Sequence, residues 1–213
     1  MGVGWVGGQL KKYLEEVKGY KPGIDLFLYT KHKEKCVGDI EDAEIIFVAL
    51  PTPRNPKNGS CDISIVEEAI SKIKSKKIIV IKSTVAPGTT AMLQKKYKKY
   101  IFLFNPEFLT EANAWEDMLH PDRQIVGFLG KNKQAAELVL SLLPSAPLMS
   151  PGIYGDRELK ISATEAEIIK YAGNIFLARK INWANALAIS TEHLGGNYNN
   201  VRIGFGADKR IGP

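Results

Sequence analysis

Continuous hydrophobic runs recur along the chain and are separated by amphipathic stretches. The clearest runs lie at 44–50, 77–82 and 101–104, and two more lie at 24–29 and 124–129. A strand that is covered on both faces of a parallel sheet has no polar face, so it appears as an unbroken apolar run rather than as an alternation. The five runs therefore predict five buried strands.

Between these runs the apolar residues are spaced by three and four, which predicts helices at 8–19, 62–73 and 133–143. A longer helix is predicted at 164–185, and apolar residues around much of its surface predict that it is well buried. Strands that alternate with helices predict the α/β class, with a doubly wound, mainly parallel sheet followed by this long helix.

The segment 144–155 contains three prolines and two glycines and predicts a domain boundary. The chain is thus expected to divide into a sheet domain, 1–155, and the start of a helical domain, 156–213. A chain of 213 residues, of which 45% are hydrophobic and 24% charged, is ordinary globular material.

Composition excludes several classes of protein. No apolar run approaches the ~18 residues of a membrane span, and the first ten residues do not have the pattern of a signal peptide. Two cysteines do not make a disulfide framework, so a reducing, cytoplasmic setting is expected. The net charge of +6 comes largely from lysine clusters beside amphipathic helices, without any nucleic-acid-binding signature.

The first residues, Gly2 to Gly7, fit the pattern G-x-G-x-x-G through Gly2, Gly4 and Gly7. This pattern marks a tight turn at a helix N-terminus where the backbone approaches a pyrophosphate, as in a Rossmann-like fold. The motif should follow a buried strand, and only Met1 precedes Gly2, so the first strand is expected to be missing. The run at 24–29 ends in Tyr29 to Lys33 without an acid, which leaves NAD and NADP both open.

Polar loops follow three consecutive predicted strands. Thr52 lies between two prolines after the first, Ser83 and Thr84 follow the second, and Glu107 and Glu111 follow the third. The carboxyl ends of parallel strands meet at one edge of the sheet, where α/β proteins bind ligands. These residues are therefore expected to converge on one site.

Two groups of residues carry candidate chemistry. One of Glu107 and Glu111 is expected to act as a general base and the other to cap a short helix, with either assignment open. Lys170 and Asn174 stand one turn apart on the long helix, where they could stabilise an oxyanion. The alternative for this pair is a lysine that reaches solvent and an asparagine that bonds locally.

The remaining candidates indicate no further chemistry. Cys61 follows an Asn-Gly turn and is interpreted as a small buried thiol rather than a nucleophile. The three histidines lack the spacing of metal ligands, and no metal is predicted.

The whole chain resembles the UDP-glucose/GDP-mannose dehydrogenase family. The resemblance is carried by segments that occur in that family's order: GVGWVG, VALPTP, GSCDIS, IVIKSTVAPGTT, NPEFLTEANAWED, PDRQIVG, TEAEIIKYAGNIFLARKINWANALA and DKRIG. It implies NAD-dependent oxidation of a nucleotide sugar at its primary alcohol, through aldehyde and thioester to carboxylate. It also implies a homodimer built on the central helix and a part in polysaccharide biosynthesis.

The resemblance assigns roles by position. Gly2, Gly4 and Gly7 match the phosphate turn, and Thr52, Ser83 and Thr84 match cofactor-edge loops, with Thr84 also beside the catalytic water. Glu107 matches the acid/base carboxylate and Glu111 a carboxylate at the sugar and cofactor. Lys170 and Asn174 match the pair that steadies the reacting oxygen, and Arg210 matches an arginine that reaches the substrate of a neighbouring subunit.

The chain also departs from the family. The family's nucleophilic cysteine lies in a segment downstream of the RIG motif, and so does its nucleotide-sugar domain. This chain is therefore expected to be an internal portion that cannot complete the oxidation alone, with low stability and weak dinucleotide binding. Two other functions stay open: a β-hydroxyacid dehydrogenase, and a non-catalytic remnant that dimerises or binds a nucleotide.

Overall fold

The computed structural model describes residues 1–212. By their internal contacts these residues form two compact units, Met1–Tyr171 and a second unit that begins at Ala172.

The centre of the first unit is a parallel sheet of three strands, β1 (Ile45–Val48), β2 (Ile78–Ile81) and β3 (Ile101–Phe104), in the order β1-β2-β3. Their first residues are in register, Ile45 opposite Ile78 and Ile78 opposite Ile101. These strands confirm the α/β sheet predicted from the three clearest apolar runs.

Five helices accompany this sheet: α1 (Trp5–Glu16), α2 (Ser64–Ser71), α3 (Thr89–Lys96), α4 (Ala114–Leu119) and α5 (Lys133–Leu142). Alternate residues of β2 enter two different hydrophobic clusters. Ile79 packs in a cluster with Ile70 of α2, whereas Val80 packs in a cluster with Leu10 of α1 and Val139 of α5. Because successive side chains of a strand point to opposite faces, both faces of the sheet are covered.

Four shorter strands complete the first unit. A parallel pair is formed by β4 (Arg123–Ile125) and β5 (Leu148–Ser150), and an antiparallel hairpin by β6 (Gly152–Tyr154) and β7 (Arg157–Leu159). The segment predicted as a boundary thus holds β5 and β6, and the division of the chain at residue 155 stays a prediction. Two single-turn 3-10 helices lie at Lys33–Lys35 and Ile40–Asp42.

The strand predicted at 24–29 is wrong. This segment forms only isolated bridges, Leu28 with Val37 and Pro22 with Leu26. A strand needs a continuous partner for its backbone groups. The described residues give this segment only a bond from the amide of Gly2 to the carbonyl of Tyr29, at 2.8 Å, on the side of the sheet.

The long helix, α6 (Ala163–His193), is followed by α7 (Tyr198–Gly206). The first turns of α6 are buried in the first unit, through Ala163, Ala166 and Glu167. Further along, Ile181 is 62% exposed and Trp183 57% exposed, so the prediction of a well-buried helix is wrong. Its large apolar side chains are exposed among the described residues, Phe176 to 65% and Ile189 to 70%.

Candidate functional site

The glycines at the start of α1 build a tight turn. Gly2 has φ of +83°, and a Cβ there would lie 2.3 Å from the carbonyl oxygen of Ala49; a Cβ at Gly7 would lie 1.9 Å from that of Gly2. Gly4 is the N-cap of α1, which has no side-chain cap, and a Cβ on Gly4 would have no described atom within 4 Å. The turn therefore presents uncovered backbone N–H groups at a helix N-terminus, which fits a dinucleotide phosphate.

Hydroxyl groups join the loops that follow β1 and β2. Thr52 Oγ1 donates to the carbonyl of Thr84 at 2.6 Å. Ser83 Oγ donates to the carbonyl of Leu50 at 2.7 Å and accepts from the amide of Leu50 at 2.8 Å. The hydroxyls of Thr52 and Ser83 thus hold the two loops together, and they position the edge of the site through the backbone.

Glu107 lies three residues beyond the end of β3, and its side chain is only 12% exposed. Its Oε1 accepts hydrogen bonds from the amides of Phe108 and Leu109, at 2.8 and 3.2 Å. Its Oε2 lies 3.1 Å from Lys82 Nζ, an ion pair by distance. The angles of that pair are not those of a hydrogen bond, so this buried oxygen accepts none from residues 1–212. It therefore keeps the capacity to accept a proton.

Lys82 was not singled out from the sequence. It directly follows β2, is 4% exposed at its side chain, and donates to Asn105 Oδ1 at 2.7 Å. Asn105 Nδ2 in turn donates to Gln124 Oε1 at 3.0 Å and to the carbonyl of Ile125 at 2.7 Å. The signal for Lys82 was the charge that ends the run KIIVIK at the carboxyl edge of the sheet.

Lys170 approaches the same loop from α6. Its Nζ donates to the backbone carbonyl of Glu107 rather than to the carboxylate. Burial lowers the pKa of Lys170; Glu107 opposes this shift, while the nearby cations Arg123 and Lys82 add to it. Four residues further along α6, Asn174 is exposed and falls in the second unit.

Arg123 completes this cluster. Its guanidinium stacks on the ring of Phe108, 3.8 Å from the centroid, and its buried Nε has no hydrogen-bond partner within residues 1–212. Arg123 lines a cavity of about 130 Å³ together with Lys82 and Glu107. The cavity thus brings a carboxylate with a free acceptor and a cation with a free donor to one place, where an alcohol or its oxyanion can be held.

Two predicted site residues are not part of this cluster. Glu111 lies exposed in a turn, and its side chain forms no hydrogen bond or ion pair within the described residues. Arg210, in the second unit, is 88% exposed at its side chain and pairs with Asp208 at 2.6 Å, a hydrogen bond that raises the pKa of Arg210. The binding roles of both stay predictions.

A buried carboxylate on α6 holds the loop between β2 and α3. Glu167 accepts from the amides of Gly88 and Thr90, at 2.6 and 2.8 Å, and from Thr90 Oγ1 at 2.6 Å. The sequence analysis did not find this residue, because a glutamate in a helix is usually solvated. It fixes the position of the Ser83 to Thr90 loop relative to the first turns of α6.

The cysteines have no catalytic surroundings in the described part of the chain. Both Cys36 and Cys61 are free, and Cys61 Sγ contacts the carbonyl of Thr84 at 3.7 Å. No three metal-ligating side chains of residues 1–212 lie close enough together to hold a metal ion.

None of the helices over the same residues is long and apolar enough to cross a membrane.

The chain matches two family models and is similar to several known proteins. Residues 2–143 match the NAD binding domain of the UDP-glucose/GDP-mannose dehydrogenase family, and residues 164–213 match that family's central domain. The UDP-glucose 6-dehydrogenase of Rickettsia felis is 38% identical over 182 residues, which are 82% of this chain and 39% of that protein. The UDP-glucose 6-dehydrogenase of Rhizobium meliloti is 34% identical over 211 residues, 91% of this chain and 47% of that protein.

A solved structure agrees with these matches. The UDP-glucose dehydrogenase of Pyrobaculum islandicum superposes with a TM-score of 0.66 and 34% identity, over 81% of this chain and 40% of that chain. The chain thus spans about two fifths to one half of the length of the curated relatives it matches. Its Rossmann-like fold and its long following helix are confirmed.

Proposed function

We propose, since the chain belongs to the UDP-glucose/GDP-mannose dehydrogenase family, that it takes part in the NAD-dependent oxidation of a nucleotide sugar at a primary alcohol. In this proposal residues 1–155 bind the cofactor and residues 156–213 begin the helical dimerisation domain. The observation that carries the proposal is Glu107, whose buried Oε2 accepts no hydrogen bond within residues 1–212 and lies 3.1 Å from Lys82 Nζ.

NAD is the cofactor of the family domain that matches residues 2–143, which answers the choice between NAD and NADP that the sequence left open. When bound, it supplies the acceptor for the hydride. Gly4 and the first turn of α1 would hold its pyrophosphate, because they present N–H groups without a covering side chain. Thr52 and Ser83 support this role by fixing the adjoining loops.

Glu107 would act as the general base. Oxidation of an alcohol releases a proton from oxygen as the hydride leaves carbon, and in this proposal Glu107 Oε2 accepts that proton, directly or through a water at Thr84. Lys82 Nζ lies 3.1 Å from this oxygen and places a positive charge beside it.

Lys170 would stabilise the oxygen that becomes negative as its proton leaves. An ammonium has three N–H donors, and the contact with the carbonyl of Glu107 uses one of them. Asn174, one turn along α6, would share this task. Glu111 and Arg210 are proposed to bind the nucleotide sugar, Arg210 that of a neighbouring subunit.

A titration with NAD tests the cofactor part of the proposal. In the ¹⁵N-labelled chain, NAD is expected to shift the amide resonances of Gly4 and Trp5, even when binding is weaker than micromolar. Gly4→Val places a side chain in the open space above the turn and is expected to weaken binding at least tenfold. Gly8→Val is the matched control, because a Cβ at Gly8 also meets no described atom within 4 Å.

Two results would contradict the cofactor assignment. One is the absence of any NAD-dependent shift at Gly4 in a chain whose spectrum shows it to be folded. The other is equal NAD affinity in the Gly4→Val and Gly8→Val variants. Turnover of small hydroxy acids without a nucleotide would instead favour the β-hydroxyacid dehydrogenase alternative.

We further propose a homodimer built on α6. The helix exposes large apolar side chains, among them Phe176 at 65% and Ile181 at 62%, which is typical of a surface that another chain covers. Ile181→Glu is expected to lower the dimer fraction measured by light scattering during gel filtration. Ser190→Glu, nine residues away and so on the opposite face of the helix, is expected to leave it unchanged; equal effects would contradict this interface.

A cytoplasmic setting and a part in polysaccharide biosynthesis belong to the same proposal. The two free thiols, Cys36 and Cys61, support a reducing compartment. Uronic acids made from nucleotide sugars are building blocks for such polymers, so the proposed chemistry supports the proposed role.

A further inference from the structure

Positive charge is concentrated in one part of the first unit. Between Glu68 and Glu107 the chain has nine lysines and no acidic residue. One of them, Lys82, belongs to the candidate site, and the other eight precede β2 and β3. Because the three strands are parallel and in register, their amino ends meet at one edge of the sheet, opposite Glu107. We call this surface the lysine edge; it comprises Lys72, Lys74, Lys76, Lys77, Lys95, Lys96, Lys98 and Lys99.

Hydrogen bonds join the lysines before β2 to those before β3. Lys99 Nζ donates to the carbonyl of Lys74 at 2.9 Å, and the amide of Ile101 donates to the carbonyl of Lys77 at 3.0 Å. Lys77 is buried, whereas the other seven lysines are exposed. The two lysine segments therefore form one continuous surface that is open to solvent.

Several of these charges have no partner within residues 1–212. Lys72 pairs with Glu68 at 2.8 Å, and Lys96 pairs with Glu67 at 2.7 Å. Four exposed side chains form no hydrogen bond or ion pair among these residues, those of Lys74, Lys76, Lys95 and Lys98. The lysine edge thus presents four ammonium groups that are free to bind an anion.

Capping of the fold itself accounts for only part of this charge. Carboxylates lie at or beside the same edge in five residues: Glu41, Asp42, Glu44, Glu67 and Glu68. The lysines exceed them by three, eight against five. The helices α2 and α3 both end near this edge, and a helix C-terminus carries about half a negative charge, so the two together balance about one lysine. A net positive charge remains.

The composition of the lysine edge fits a flat anionic surface better than a protein or a nucleic acid. It contains no arginine, the residue that binds phosphates in a bidentate way and is enriched at protein interfaces. No large apolar side chain of 72–77 or 95–99 is exposed, yet the core of a protein interface is built on such anchors and is depleted of lysine. Lysines on flexible stems suit separate, mobile headgroups.

We propose that the lysine edge docks the protein on an anionic lipid surface. Each ammonium that approaches such a surface adds to a weak and reversible attraction. The loops at Thr52, Ser83 and Glu107 follow the other ends of the same strands, so the candidate site would face away from the lipid. The proposal requires only the charge of this edge and is independent of the proposed oxidation.

Sedimentation with vesicles tests this docking. The unmodified chain is expected to bind vesicles of phosphatidylcholine that contain one third phosphatidylglycerol at low ionic strength, and to be released by salt, which screens the attraction. A single variant removes the four free charges by Lys74→Gln, Lys76→Gln, Lys95→Gln and Lys98→Gln. It is expected to bind at least tenfold more weakly, because each lysine near an anionic surface contributes about fivefold to the affinity.

A matched control removes four exposed lysines elsewhere, which also form no side-chain hydrogen bond or ion pair within residues 1–212. It carries Lys21→Gln, Lys35→Gln, Lys57→Gln and Lys131→Gln. Both variants lower the net charge by four, from +6 to +2, and the control is expected to bind at least fivefold more tightly than the first variant.

Four results would overturn the proposal. They are the absence of binding to the anionic vesicles, equal binding to pure phosphatidylcholine, equal affinity of the two variants, and tighter binding to duplex DNA than to vesicles at the same phosphate concentration. The last result would assign the lysine edge to a nucleic acid instead.

Hydrogen exchange in the unmodified chain is a second measurement, which needs no variant. Anionic vesicles are expected to slow exchange in segments 72–77 and 95–99 and to leave segment 52–59, which follows the carboxyl end of β1, unchanged. Equal slowing in all three segments, or slowing only in 52–59, would show that the lysine edge is not the docking surface.

Discussion

Two edges of the central sheet are built very differently. One is the carboxyl edge of β2 and β3, and the other is the outer edge of β1. At the first, Lys82, Asn105 and Gln124 form an unbroken chain of buried hydrogen bonds that ends beside Glu107. At the second, Ile45 and Phe47 border a groove of about 670 Å³, which Met1 also lines. The proposed proton-transfer groups thus lie beside a network of buried hydrogen bonds, whereas the phosphate turn is attached to the open edge of the sheet.

The two edges therefore have different proposed roles, proton transfer at the first and phosphate binding at the second. Buried polar groups that are mutually satisfied hold a fixed geometry, so the surroundings of Glu107 are expected to persist when the groove is filled or left open. The turn at Gly2 to Gly7 has only Met1 and its neighbours to hold it to β1. Variants on each side should therefore act separately.

The largest effect is expected from Lys82→Met, which breaks the packed side. It leaves the Glu107 carboxylate buried without its cation, and loss of one partner of a buried pair costs about 3–5 kcal/mol of unfolding free energy. Urea unfolding measures the loss. The matched control is Lys72→Met, which removes a solvent-exposed pair with Glu68 and is expected to cost less than ~1 kcal/mol.

The double variant Lys82→Met with Glu107→Gln sharpens this test. Removal of both charges should restore much of the lost stability, because no unpaired charge then remains buried. A single Lys82→Met variant as stable as the Lys72→Met control would show that the ion pair does not hold this edge.

A smaller loss is expected from Glu167→Gln. Gly88 and Thr90 donate to different oxygens of Glu167, and glutamine keeps only one oxygen, so one of the two donors loses its acceptor. A buried donor left unpaired costs about 1–3 kcal/mol. The control is Glu165→Gln near the start of the same helix, where the side chain bonds the amide of Ser162 at 2.7 Å and a glutamine oxygen serves equally well. Thermal or urea unfolding that ranks Glu165→Gln as the more harmful change would contradict this prediction.

The smallest effect is expected at Lys170. Because burial lowers its pKa in the folded chain, the unfolded chain holds the proton at alkaline pH where the folded chain has begun to lose it. Stability due to this residue therefore rises with pH from the folded pKa up to the ordinary value of 10.5. Lys170→Met should abolish that rise below pH 10.5, whereas Lys180→Met, at an exposed position of α6, should retain it.

The packed side of the sheet could largely be predicted from sequence. The runs IIFV, IIVI and IFLF are strands because every second residue enters a different core, so that no polar position interrupts them. Glu107 could be placed at the edge of the sheet because it follows such a run. Lys82 could not be assigned to it, because a lysine after a strand usually reaches solvent, and only the folded chain brings Asn105 beneath its ammonium group.

The structure at the outer edge of β1 could not be predicted from the sequence alone. The run at 24–29 has the composition of a strand, yet a strand needs a continuous partner for its backbone groups. Among the described residues this run has only isolated bridges and the bond from Gly2 to Tyr29. In the same way, the apolar residues of α6 predict burial, but burial depends on a surface that covers them. Local pattern determines which segments are able to pair or pack, and the partner decides whether they do.

The carboxylate of Glu167 has a consequence for where a phosphate is able to bind. Two helices, α1 and α3, begin directly after loops at the carboxyl edge of the sheet, and both N-termini attract anions. The protein's own glutamate already neutralises the start of α3, so an incoming diphosphate would meet repulsion there. The first turn of α1 has no acidic residue and no side-chain cap, so we expect a diphosphate to bind at Gly4 rather than at the start of α3.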